Sequence, residues 1–204
     1  PPFHMASTGM VPHLLILAAG TSTRMGGRDK LLLPVSGAPL LAHVARTALA
    51  TGLPVTVVLP PDRPLRQAAL TGLAVHFVTI AAAGGMGASL AAGVAALPNA
   101  APVIVLLADM LEITTQDIER FVVEWKLQPD HILRTTDEHG TPGHPVGFPA
   151  WTRPELLELT GDQGARQVLL RHADRLRSLV LQGSRAVTDI DTPEDWQKWQ
   201  GRAP

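Results

Sequence analysis

The stretch that decides the fold is His13-Leu-Leu-Ile-Leu-Ala18-Ala19-Gly20-Thr21-Ser-Thr-Arg24-Met-Gly-Gly-Arg-Asp-Lys30-Leu31. Five nearly all-apolar residues, His13–Leu17, run directly into three small ones and then into a polar, glycine-rich segment. An apolar run of that length, without polar alternation, predicts a strand buried on both faces. Runs of the same kind recur at Val55–Leu59, Val75–Ile80 and Val103–Leu107. Helices are predicted between and after them, over Pro39–Ala50, Asp62–Leu70, Gly85–Ala96, Thr115–Lys126, Arg153–Leu159, Asp162–His172 and Pro193–Trp199. Strands alternating with helices predict a three-layer α/β/α sandwich around a mostly parallel, Rossmann-like sheet. At Thr192-Pro193-Glu194-Asp195 a hydroxyl, a proline and two acids mark a helix start. The cluster Gly140–Pro149 breaks the rhythm and is expected to be an irregular loop or an edge strand.

Composition narrows the function. The 204 residues favour one domain, expected over residues 10–204, with residues 1–9 expected to be a tag or a disordered N-terminus. Hydrophobic residues make up 46%, and Lys+Arg 17 against Asp+Glu 18 leaves a formal charge of −1, which argues against a disordered tail or a nucleic-acid-coating polycation. Cysteine is absent, so a disulfide scaffold, a thiolate zinc site and a cysteine nucleophile are excluded together. With no apolar run of membrane-spanning length and no signal-like opening, the expectation is a soluble cytoplasmic protein with small-molecule partners.

The chemistry concentrates in the first strand-to-helix turn. Ala18, Ala19 and Gly20 let backbone approach a ligand closely, and successive amides there, through Thr21, can form an anion-binding nest. Arg24 and Lys30 add two cations suited to phosphates. The spacing matches neither the P-loop nor the dinucleotide fingerprint Gly-x-Gly-x-x-Gly, which weighs against a dinucleotide-dependent oxidoreductase. A glycine-rich surface loop with solvated cations accounts for the same composition. Asp109 follows the apolar run Val103–Leu107, which puts a carboxylate at the carboxyl edge of the sheet, where ligands bind in open α/β folds. Asp191, just before a capped helix, is a natural second ligand for a hard cation such as Mg²⁺. Each has a plainer alternative: Asp109 as a cap of the next helix, Asp191 as favourable charge at a helix N-terminus. Trp196 and Trp199 are expected to be core anchors, and His13, His43, His76, His131, His139 and His172 show no metal-ligand spacing.

The sequence also resembles a known family. Leu-Ala-Ala-Gly-x-Ser-x-Arg-Met-Gly followed by Lys-Leu-Leu is similar to the nucleotidyltransferases related to the molybdenum cofactor guanylyl- and cytidylyltransferases, and more distantly to the sugar-phosphate nucleotidyltransferases. The resemblance continues through Gly85–Gly93, Ala108-Asp109-Met110, Gly143-His144-Pro145-Val146, Gly161–Arg166 and Asp189–Asp195, six blocks over residues 14–195. It implies the nucleotide-diphospho-sugar transferase fold. It also implies attack of an acceptor phosphate on the α-phosphorus of a nucleoside triphosphate, with release of pyrophosphate.

Carried over residue by residue, the resemblance makes Arg24, Lys30 and Asp109 catalytic. Ala18, Ala19, Gly20, Thr21, Gly85 and Ser89 contact the nucleotide, and Asp109 with Asp191 holds Mg²⁺. Gly143, His144, Asp162, Gly164 and Ala165 line the acceptor. His144 has two further readings, a general base or a structural histidine bonded to a backbone carbonyl, and Asp162 with Arg166 could form a plain i,i+4 ion pair. The blocks Gly143–Val146 and Gly161–Arg166, with the Leu-Ala-Ala-Gly loop, point to CTP as donor, a molybdopterin-type acceptor and transient contact with a molybdoenzyme or its chaperone. One departure stands out: Asp109-Met110-Leu111-Glu112 lacks the proline many relatives carry after the metal strand. It keeps two rivals open, a transferase for another small phosphate or sugar phosphate and a non-catalytic nucleotide-binding maturation factor.

Overall fold

A computed structural model describes residues 11–81 and 84–201, so the expectation for residues 1–9 lies outside the described residues. The strands are β1 (His13–Leu17), β2 (Pro34–Val35), β3 (Ala38–Pro39), β4 (Val55–Leu59), β5 (His76–Thr79), β6 (Val103–Leu107), β7 (Ile132–Thr136), β8 (Pro142–Phe148) and β9 (Leu176–Val180). The helices are α1 (Leu40–Leu49), α2 (Pro64–Ala69), α3 (Gly85–Ala95), α4 (Thr115–Leu127), α5 (Arg153–Leu157), α6 (Arg166–Arg171) and α7 (Pro193–Gln200). Seven strands form one sheet in the order β5-β4-β1-β6-β8-β7-β9, and β2 with β3 makes a small hairpin. β5, β4, β1 and β6 run parallel, β8 is antiparallel to β6 and β7, and β9 is parallel to β7.

The apolar runs behave as fully covered strands should. Leu14 and Ile16 point into a core shared with α1, α4 and α7, while Leu15, between them, points into a second core under α3, α5 and α6. Two helical layers therefore enclose the sheet, as the sequence pattern predicts. Trp196 is buried in the first core, and Trp199 stacks on it with ring centroids 5.2 Å apart. Among the described residues no helix is long and apolar enough to cross a membrane.

The sheet corrects the reading of Gly140–Pro149. Pro142–Phe148 is neither loop nor edge strand; it lies inside the sheet between β6 and β7. Its prolines are tolerated because the ladder with β7 shifts register between Arg134 and Thr136, leaving Pro142 beyond the irregularity. Its glycines serve packing: a Cβ on Gly147 would come within 2.9 Å of the Phe121 ring and 3.0 Å of Trp125. The glycine thus seats two α4 aromatics on the sheet.

The helix expected over Asp162–His172 begins only at Arg166. Gly161 and Gly164 have φ of +65° and +54°, and left-handed backbone cannot sit inside an α-helix. Asp162 and Arg166 consequently form no ion pair, and the i,i+4 alternative is excluded.

Candidate functional site

β1 and β6 are neighbours, so their carboxyl ends open side by side. The chain leaves β1 through Ala18 and Ala19, both buried, with Ala18 N–H donating to the Val58 carbonyl. The loop beyond is held from below by Arg66 of α2, whose side chain is fully buried. Its guanidinium donates to the Ala18 carbonyl at 2.6 Å, to both Asp29 oxygens at 2.8 and 3.0 Å, and to Ser22 Oγ at 3.3 Å. Ser22 is held at φ +55°, a conformation few non-glycine residues adopt, and the clamp explains how it persists. Nothing in the sequence marks Arg66, because its role exists only once α2 lies under the loop.

Lys30 follows this loop and reaches across the sheet end. Its ammonium donates to Asp109 Oδ2 and to Asp191 Oδ1, each at 2.6 Å, while Arg24 Nη2 lies 2.6 Å from Asp191 Oδ2. Burial alone would lower the Lys30 pKa; the Asp109 and Asp191 carboxylates outweigh it and hold it above the ordinary lysine value. The two residue pairs singled out in the sequence thus meet, Lys30 and Asp191 across 161 positions.

A third carboxylate, Asp189, two residues before Asp191, joins them, although no sequence signal singles it out. Ligand atoms of Asp109, Asp189 and Asp191 all lie within 4.8 Å of one another, the one such group among the described residues. Burial and the neighbouring Asp191 and Asp109 push the Asp189 pKa up. Asp109 Oδ1 is buried without a hydrogen-bond partner. A crowded set of hard oxygen donors with one orphaned lone pair fits a divalent cation.

These groups line a cavity of about 450 Å³ together with Ala18, Ala19, Gly20, Thr21, Gly85, Ser89 and Asp162. That volume falls within the roughly 300–1,000 Å³ of small-molecule sites. Ser89 is buried in α3 and donates to the Gly85 carbonyl at 3.0 Å. Gly85 and Gly87 allow a close approach, but of the chain to itself. A Cβ on Gly85 would stand 2.4 Å from Asp162 Oδ1 and one on Gly87 2.5 Å from the Thr160 carbonyl, and Gly87 N–H bonds the Gly161 carbonyl at 2.7 Å.

The residues expected on the acceptor side divide. Asp162 lines the cavity, whereas Gly143, His144, Gly164 and Ala165 do not. Gly143 is needed where β8 crosses the Ala186 segment, since a Cβ there would sit 1.8 Å from the Ala186 carbonyl oxygen. His144 N–H donates to that same carbonyl, and its ring has no hydrogen-bond partner among the described residues, so the ring is not tied to a backbone carbonyl. Burial pushes the His144 pKa down to about 4, Arg134 adding to the fall and Asp109 opposing it, so the ring is neutral at pH 7. Gly164 packs near Met86, and Ala165 packs on the second core. The missing proline after Asp109 is compensated by apolar anchoring, because Met110 and Leu111 are both buried in the first core.

Known proteins resemble this chain to differing extents. A nicotine blue oxidoreductase of Paenarthrobacter nicotinovorans is 28% identical over 195 residues, covering 88% of this chain and 92% of its own. A probable molybdenum cofactor guanylyltransferase of Nostoc is 28% identical over 193 residues, 92% of this chain and 89% of its own. Among solved structures, Rv0371c of Mycobacterium tuberculosis superposes with a TM-score of 0.82 at 24% identity, over 94% of this chain and 99% of its own, and has also been solved with manganese. A CMP:2-keto-3-deoxy-manno-octonic acid synthetase complexed with CTP superposes with a TM-score of 0.75 at 15% identity, over 94% of this chain and 98% of its own. Residues 14–176 match the MobA-like NTP transferase domain, and the chain belongs to that nucleotidyltransferase family.

Proposed function

We propose that this single domain, residues 10–204, transfers CMP from CTP to a phosphate-bearing acceptor of the molybdopterin type and releases pyrophosphate, in the cytoplasm. The carrying observation is the meeting of Arg24 and Lys30, from the glycine-rich turn, with Asp109 and Asp191 on the wall of one cavity at the sheet's carboxyl edge. Asp109, Asp191 and Asp189 would hold Mg²⁺. Bound there, the cation supplies charge neutralisation for the triphosphate.

The chain's own groups do the rest. Ala18 through Thr21 and Ser89 seat the nucleotide, with the Arg66 clamp keeping the loop backbone in place. Lys30 and Arg24 exchange their carboxylate partners for phosphate oxygens. The acceptor oxygen forms its bond to the α-phosphorus as the bond to the β-phosphate bridge breaks, and both cations stabilise the charge leaving on pyrophosphate. His144, neutral at pH 7, faces the acceptor without competing for its negative charge.

The Leu-Ala-Ala-Gly turn favours CTP, while the Nostoc relative is named for guanylyl transfer, so the donor is the point to test. Thermal unfolding with Mg²⁺ and CTP, GTP, ATP or UTP decides it. A nucleotide at about 100 times its Kd stabilises the fold by about 2.7 kcal/mol, and CTP is expected to stand above the other three. Equal or greater stabilisation by GTP overturns the choice of donor; no pyrophosphate release with any phosphate-bearing acceptor overturns the transfer. The likeness to nicotine blue oxidoreductase carries a second reading, a redox role, against which the three clustered carboxylates and the orphaned Asp109 oxygen weigh.

A further inference from the structure

The sheet does not end at the nucleotide cavity. Val105 of β6 pairs with Val146 of β8, two residues from His144, and Leu107, two residues on from Val105, lines the cavity. Val146 in turn pairs with Arg134 of β7, and Arg134 pairs with Ser178 of β9. Cross-strand partners share a face. Arg134 and Ser178 therefore lie on the face that α3, α5 and α6 cover elsewhere, and His144, which feels the charges of both Asp109 and Arg134, links them to the cavity.

Here the cover stops: Ser178 is exposed, and Val180, two residues along the same face, is 48% exposed. Arg134 is half-buried on this floor, yet its guanidinium has no ion-pair or hydrogen-bond partner among the described residues, and its Nε is fully buried without an acceptor. The nearest acid in its strand connection, Asp137, is committed to the backbone amides of His139 and Thr141. An unpaired, partly desolvated guanidinium costs stability unless something binds it.

We propose that Arg134 is the residue that grips the acceptor, taking a phosphate or carboxylate group on the open floor beyond His144. The planar fork suits either oxyanion bidentately. The position also suits the geometry of transfer: an acceptor anchored at Arg134 and passing His144 arrives beside Asp109 from the side opposite the Arg24 loop. His144, adjacent and uncharged at neutral pH, leaves the anion to Arg134 alone. The proposal rests on the nucleotidyl-transfer reading only in naming the anion as the acceptor's.

The test reads the guanidinium directly. In the ¹⁵N-labelled protein the Arg134 Nε–H signal is identified by its loss in Arg134→Gln and in Arg134→Lys, the latter keeping the charge should the former fold poorly. Titration with inorganic phosphate and, separately, with acetate should move that signal saturably, and the tighter of the two identifies the anion class. A signal that does not move, or that drifts without saturating along with every other arginine, overturns the proposal. No nucleotide or turnover is needed, so failure of CTP transfer leaves this result standing, and nucleotide stabilisation without an Arg134 response refutes the arginine alone. In transfer assays Arg134→Gln should raise the KM for a phosphate-bearing acceptor about tenfold to a hundredfold while nucleotide affinity stays unchanged. A loss confined to nucleotide binding places Arg134 on the donor side and overturns the assignment.

Discussion

Lys30 is the residue on which the site turns, because its ammonium stands between two carboxylates that would otherwise repel. Its side chain is only 13% exposed, so removing it leaves Asp109, Asp189 and Asp191 crowded with little solvent to screen them. Lys30→Ala should lower stability by about 3 kcal/mol without metal. Mg²⁺ should restore most of that loss while turnover stays low, because the cation replaces the charge but not the phosphate contact. Melting curves with and without Mg²⁺, beside a pyrophosphate-release assay, check it, and a variant as stable as the parent in metal-free buffer refutes the electrostatic account. Asp109→Asn should cut kcat at least a hundredfold, about 3 kcal/mol of transition-state stabilisation, with the fold intact. At this scale the sequence is partly transparent. Arg24, Lys30 and the small residues Ala18–Gly20 are visible because they are contiguous. Asp109 is visible because an apolar strand aims it. Arg66 and Arg134 are silent, since each looks like an ordinary charge in a short element until neighbours in space define what it faces.

The elements tell a similar story with a different cause. β1, β4 and β6 are legible because covered strands are apolar throughout, and α7 because Thr192 and Asp195 spell out its capping box. β7 and β9 escape notice because polar residues break their apolar runs, Arg134, Thr135 and Thr136 in one and Arg177 and Ser178 in the other, and β8 because Pro and Gly stand where strand formers are expected. Those glycines are spacers between elements. Gly85 shows what they permit: α3 begins hard against the 160–162 turn, which sets Ser89 and Asp162 on the same cavity wall. Gly85→Ala meets two penalties, a φ of +75° and a Cβ 2.4 Å from Asp162 Oδ1. The expected cost is about 2–4 kcal/mol, by strain plus the shift of α3. Urea denaturation measures the loss, and nucleotide affinity should fall with it; a neutral substitution would show that the turn yields freely and does not fix α3.

At the scale of the molecule, the pH dependence of stability separates the groups tuned by the fold. His144 has a folded pKa of about 4 against an ordinary 6.5, so between those values the unfolded chain binds a proton that the folded chain refuses. Stability from this group is therefore complete above about pH 6.5 and is lost as pH falls toward 4, by at most about 3 kcal/mol. Glu155, held below the usual carboxylate range by its hydrogen bond to His172 and by Arg171, adds a loss that sets in only once pH falls below its ordinary 4.5. Asp189 acts with the opposite sign: its raised pKa means that the folded form keeps its proton longer, so acid relieves rather than penalises it. Lys30, also raised, contributes stability that disappears only in strong alkali, above its ordinary 10.5. The upper part of the acid limb, between pH 6.5 and 4.5, thus belongs to the histidines: His144, with His13 and His43, which burial also holds below the ordinary 6.5. Urea denaturation across that window should show stability falling more steeply in the parent than in His144→Gln, whose side chain carries no titrating group and which keeps the smaller shares of His13 and His43. The same fall in both proteins would mean that the ring is solvated in the folded state, and His144 would then be charged, not neutral, on the path proposed for the acceptor.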